Sequence, residues 1–168
     1  KQQMSAALSA LPPAAGGPWT LKWGPANNAG NLVFVALNSS QNVYAVAIRG
    51  TVEDDVTGFL TNILEDLDAL SLVPWLYPQT VTGAQIASGT NIALAQVIAM
   101  TDPVTDLGLL DYLRSVLSGS NAQVIVTGHS LGGTLTSVVA PWLADQLPKA
   151  GNTGTVAITP YTFAAPSA

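Results

Sequence analysis

Residues 124–133, V-I-V-T-G-H-S-L-G-G, constrain the fold of this chain more than any other stretch. Val124 to Val126 is a short, wholly apolar strand of the kind buried on both faces of a parallel sheet. Gly128-His129-Ser130-Leu131-Gly132 follows at once as G-x-S-x-G, and a helix from about Leu131 to Leu147 comes next. The order strand, turn, helix is the context that raises this match above chance, and it puts Ser130 in a sharp, strained turn. Glycines on both sides remove side chains that would clash there. The helix N-terminus behind the serine offers unpaired N–H groups and a partial positive charge, which favour an oxyanion.

The elements around this motif read as follows. A short helix is expected at Gln3 to Leu11, ended by Pro12-Pro13 and Gly16-Gly17-Pro18. Asn31 to Leu37 and Val43 to Ile48 are apolar runs joined by Asn38-Ser-Ser-Gln-Asn42, an antiparallel hairpin. Six of the ten acidic residues lie between Val52 and Leu72, interleaved with Val56, Phe59, Leu60, Ile63, Leu64 and Leu67. That spacing predicts an amphipathic helix with an acidic face, which by itself is an ordinary surface helix. A short strand at Ala84 to Ala87 precedes a helix at Thr90 to Met100 capped by Thr90 or Ser88. A further helix spans Asp106 to Leu117 and buries Leu109, Leu110, Leu113, Val116 and Leu117. Pro141 is expected to kink the helix after Ser130. The last strand, Thr155 to Phe163, is expected to break at Pro160.

Composition narrows the partners. The chain has 168 residues, enough for one domain, with 9% charged and 48% hydrophobic residues against about 25% charged in an average soluble domain. Three causes are open: a second polypeptide covers part of the surface, the protein works at a lipid interface, or the chain is simply rich in Ala and Gly. A net charge of −5 with only five basic residues argues against nucleic acid. There is no cysteine for a disulfide or thiolate metal site. Lys1 to Gly17 resembles neither a signal peptide nor a transmembrane segment.

His129 is the only histidine. As the neighbour of Ser130 in a tight turn it cannot reach the serine hydroxyl at the required 2.6 to 3.2 Å or so, and it reads as a packed structural residue. Asp102, Asp106, Asp111 and Asp145 read as solvated or helix-end carboxylates. The Leu131 N–H is one expected oxyanion donor, and the second comes from a loop after an earlier strand. Arg49-Gly50-Thr51 is a plain strand end when taken alone. Beside a serine elbow it supplies a close-approaching glycine and, in Thr51, a backbone N–H and a hydroxyl.

Arg49-Gly50-Thr51, the acidic stretch after it, the serine motif, and Tyr161-Thr-Phe-Ala-Ala-Pro166 together resemble the class 3 (fungal-type) lipases over residues 31–168. The resemblance implies an α/β-hydrolase fold, a central mostly parallel sheet flanked by helices, with 1–30 as an N-terminal segment and 31–168 as the N-terminal part of one domain. It implies a carboxylic ester hydrolase, a triacylglycerol lipase acting through a serine acyl-enzyme. Ser130 is then the nucleophile, Thr51 and Leu131 the oxyanion hole, and 52–72 a lid opened by a lipid–water interface. The substrate is a lipid or other ester, no metal or organic cofactor is required, and a secreted protein is expected from the resemblance alone.

One departure is specific. In the family the triad Asp and His come after the Phe-x-x-Pro segment, and this sequence ends at that segment. Loss of one triad member costs about 10⁴- to 10⁶-fold, so these residues alone are expected to be nearly inactive. An apolar last strand with nothing beside it is also an edge that soluble proteins avoid. Both points lead to a following or separate polypeptide that completes the triad. The competing expectation is a non-catalytic, lipase-like scaffold that binds lipid or protein.

Overall fold

The structure, a computed structural model, describes residues 1–50, 71–77, 81–147 and 156–165. Among the described residues, five strands form the central sheet in the order β1 (Thr20–Asn28), β2 (Asn31–Asn38), β3 (Val43–Arg49), β6 (Gln123–His129) and β7 (Ala157–Phe163). β1, β2 and β3 pair antiparallel, while β3, β6 and β7 run parallel. A separate two-stranded ribbon joins β4 (Leu72–Pro74) to β5 (Gln85–Ala87). Among the described residues the helices are α1 (Gln2–Ser9), α2 (Ser88–Ile98), α3 (Leu109–Leu117) and α4 (Leu131–Gln146), with a 3₁₀ turn at Pro13–Ala15.

One apolar cluster joins the sheet to three helices. Val33, Val35, Val46, Ile48, Val124 and Val126 share one buried cluster with Leu94 and Val97 of α2, Leu109, Leu113 and Leu117 of α3, and Leu135, Val139 and Leu143 of α4. Each such side chain contributes about 1.5 to 3 kcal/mol when fully buried. In β6 the buried Val124, Val126 and Gly128 alternate with more open Ile125, Thr127 and His129, as a period of two requires. The parallel register Ile48↔Gly128↔Thr162 brings the carboxyl ends of β3, β6 and β7 to one edge of the sheet. In open α/β sheets that edge is where ligands bind.

The hairpin β2–β3, the strand β6 and the helix α4 stand where the sequence placed them. The Asn38 side-chain oxygen closes the hairpin by accepting the Ser40 N–H at 3.1 Å, the Gln41 N–H at 3.2 Å and the Ser40 hydroxyl at 2.7 Å. Other expectations need correction. No strand was expected before Asn31, yet β1 forms the outer antiparallel strand, with register shifts around Trp23 and between Trp23 and Ala26. Its turn, Asn28 to Asn31, has positive φ at both Ala29 (49°) and Gly30 (84°), the two-residue hairpin geometry normally marked by Asn-Gly.

Helix α2 begins at Ser88 with no side-chain cap, and the Thr90 hydroxyl is buried without a partner. Helix α3 begins at Leu109, because Asp106 takes a left-handed φ of 57° in the preceding turn. β7 runs straight through Pro160, which pairs with Val126. Proline is tolerated there because β7 is the last strand of the sheet among the described residues, with one side free of a ladder. The expected lid lies almost wholly outside the described residues, which resume at 71.

Candidate active site

Ser130 sits between β6 and α4 with φ 57° and ψ −126°, as the residue that opens the helix. A non-glycine residue in that region is held at a cost of about 1 to 3 kcal/mol, and such strain persists only where the surroundings enforce it. Two glycines do so here. A Cβ on Gly128 would collide with the Gly132 carbonyl, and one on Gly132 would collide with the Ile48 carbonyl and lie 2.9 Å from the Gly50 nitrogen. The turn can close only because both positions lack a side chain.

Three backbone hydrogen bonds fix the elbow. The Ser130 N–H donates to the Phe163 carbonyl at 2.9 Å, and the Ser130 carbonyl accepts from Gly133 at 2.8 Å and Thr134 at 3.1 Å. The N–H groups of Leu131 and Gly132, in the first turn of α4, have no acceptor within the helix. They carry the positive end of its dipole, about half an elementary charge, beside Ser130. The end of β3 closes on the same point, since a Cβ on Gly50 would stand 2.5 Å from the His129 carbonyl oxygen and 3.5 Å from the Ser130 Cβ. Ser130, Leu131 and Gly50 are therefore together. Thr51 lies outside the described residues.

Two sequence expectations fail around this point. His129 is exposed rather than packed, because it stands on the open face of β6, opposite in parity to the buried valines. Asp102 is the reverse, only 2% exposed. Its Oδ1 accepts the Val104 and Thr105 N–H groups at 2.8 and 2.9 Å, and its Oδ2 accepts the Gly24 N–H at 2.6 Å and faces the Lys1 ammonium at 3.3 Å. Burial alone would push this carboxyl up. The N–H groups of Thr105, Val104 and Gly24, with the Lys1 ammonium, outweigh that and bring it from 3.8 down to about 2. The bonds to Val104 and Thr105 are local, but nothing in the sequence points to Gly24. Asp111 pairs on the surface with Arg114 at 3.3 Å. The Asp145 carboxylate accepts from the Gln146 side chain at 2.7 Å.

Residues 45–168 match the family model described as Lipase (class 3). The chain belongs to the class 3 lipase family. Among solved structures it is similar to M37 lipase, at 26% identity and a TM-score of 0.80 over 98% of this chain and 52% of that one. The lipase from Rhizopus microsporus var. chinensis shares the fold, with a TM-score of 0.57 and 20% identity over 83% of this chain and 44% of that one. So does the mono- and diacylglycerol lipase from Aspergillus oryzae, with a TM-score of 0.57 and 20% identity over 92% and 49%. The chain thus spans about half the length of these lipases. No curated protein sequence matches it. The α/β-hydrolase expectation holds, with the Ser130 turn at the carboxyl end of β6, between the parallel strands β3 and β7. Among the described residues no helix is long and apolar enough to cross a membrane.

Proposed function

We propose that this chain carries the nucleophile and oxyanion half of a carboxylic ester hydrolase, a triacylglycerol lipase, with Ser130 as the nucleophile. The observation that carries this reading is the positive φ of Ser130, enforced by Gly128 and Gly132 at the N-terminus of α4, in a chain of the class 3 lipase family. The Ser130 hydroxyl attacks the ester carbonyl and passes its proton to a base. The Leu131 N–H and the donors of Thr51 hold the oxyanion. Collapse expels the alcohol, which takes that proton, and water then releases the acid from the acyl-serine.

The base is not His129, whose side chain leaves β6 on the open face. The only histidine of the sequence being unusable, the triad Asp and His come from a following or separate polypeptide. The exposed strand β7, with Tyr161 51% and Phe163 57% open, is where that polypeptide adds to the sheet. Residues 52–72 act as a lid over the site until a lipid–water interface draws it aside, and the enzyme is secreted.

A serine-reactive phosphonate tests the reading. Protein containing this chain and its completing segment is labelled at Ser130, Ser130→Ala is not, and residues 1–168 alone react orders of magnitude more slowly. Failure of the complete protein to label leaves the non-catalytic scaffold as the reading. Hydrolysis rates over ester chain lengths, above and below the onset of an emulsion, separate a lid-gated lipase from an esterase.

A further inference from the structure

The elbow is gripped from a direction that neither β6 nor α4 supplies. Phe163, the last residue of β7, accepts the Ser130 N–H at 2.9 Å. Two residues on, Ala165 faces the helix: a Cβ on Gly133 would lie 2.9 Å from the Ala165 Cβ and 3.0 Å from the Phe163 carbonyl oxygen. Ala164, between these contacts, has a φ of 48°. L-residues with a Cβ are disfavoured in that region, and an alanine stays there only where the neighbours dictate it. At Ala29, Asn42 and Asp106 positive φ belongs to ordinary turns, whereas at Ala164 it occurs where β7 touches the other strained residue, Ser130.

We infer that Ala164 is a positioning residue for the nucleophile: its left-handed backbone sets the Phe163 carbonyl on the Ser130 N–H and the Ala165 methyl against Gly133. The inference rests on Ser130 being the nucleophile. The hydrogen bond fixes the peptide plane between His129 and Ser130, and rotation of that plane swings the Ser130 Cα–Cβ bond and with it the hydroxyl. The bond also engages the Ser130 N–H, which is therefore not free to hold an oxyanion. Ala164 acts on the serine only through its neighbours.

A series at position 164, in the enzyme that contains this chain, tests the assignment. Glycine and asparagine adopt positive φ readily and valine does not. The first readout is amide hydrogen exchange at Ser130, which needs no activity. Ala164→Val speeds it about tenfold or more, while Ala164→Gly and Ala164→Asn leave it near the parent rate. The second is kcat against KM on a soluble p-nitrophenyl ester. Ala164→Val lowers kcat about 10- to 100-fold with KM within about twofold, because a misplacement near 1 Å is enough. Glycine or asparagine at 164 restores kcat.

A folded Ala164→Val protein with parental Ser130 exchange and parental kcat overturns the assignment. Should that variant not fold, Gly133→Ala presses on the same two residues from the helix side. It is expected to lower kcat and speed Ser130 exchange, with partial recovery on adding Ala165→Gly, and no change in either quantity is equally fatal. If the parent hydrolyses no ester while the exchange pattern holds, the ester-hydrolase reading fails and the backbone assignment stands.

Discussion

Gly24 and Asp102, 78 positions apart in sequence, are joined by a 2.6 Å hydrogen bond from the Gly24 N–H to the Asp102 carboxylate. With the Lys1 ammonium and the N–H groups of Val104 and Thr105, this ties β1 and the N-terminal helix to the loop between α2 and α3. Asp102→Asn removes the charge from four of these contacts and turns one acceptor into a donor. It is expected to lower stability by about 2 to 4 kcal/mol, read by urea unfolding.

The same carboxylate sets an acid limit on stability. Its folded value of about 2 lies below the ordinary 3.8, so the unfolded chain binds the proton more readily. The stabilisation, roughly 2 kcal/mol, is complete above about pH 5 and is lost as pH falls through 4 towards 2. Unfolding free energies measured between pH 6 and 2.5 should fall for the parent and stay flatter for Asp102→Asn. Parallel curves would show that another carboxylate governs the acid limb.

At the elbow, Gly132→Ala places a methyl group against the Ile48 carbonyl and 2.9 Å from the Gly50 nitrogen, both backbone atoms that cannot step aside alone. A loss of about 3 kcal/mol and of phosphonate labelling at Ser130 is expected. Retention of both would mean that β3 and α4 can separate without disturbing the serine.

His129→Gln makes the opposite forecast. The side chain is exposed on the far face of β6, so stability should change by less than about 0.5 kcal/mol and ester hydrolysis by the complete enzyme by less than about threefold. A fall of three orders of magnitude in kcat would make His129 the base.

Strand β7 carries the last prediction. With Tyr161 and Phe163 more than half exposed, residues 1–168 on their own are expected to self-associate in sedimentation experiments at micromolar concentration. Tyr161→Lys with Phe163→Lys should return the chain to monomer. A monomeric parent would show that this edge is already protected.

What could be read in the sequence was local. The apolar runs of β2, β3 and β6, the periodic apolar face of α3, and the two glycines around Ser130 act over a few residues, so they state their own conformation. The resemblance to class 3 lipases followed from those same short motifs. Tertiary structure decided what depends on distant partners. β1 forms despite Gly24-Pro25 because it docks on β2 and because the Trp23 indole reaches the Leu107 carbonyl at 2.8 Å. Asp102 is buried because N–H groups from two segments and a lysine converge on it, whereas His129 is open because strand parity turns it from the core. The hold of Phe163 on Ser130 arises only when β7 pairs with β6, 34 residues apart in register at His129↔Phe163. A chain's own pattern can specify a strand, a turn or a helix, but which polar groups meet is set by packing, which no single stretch of sequence contains.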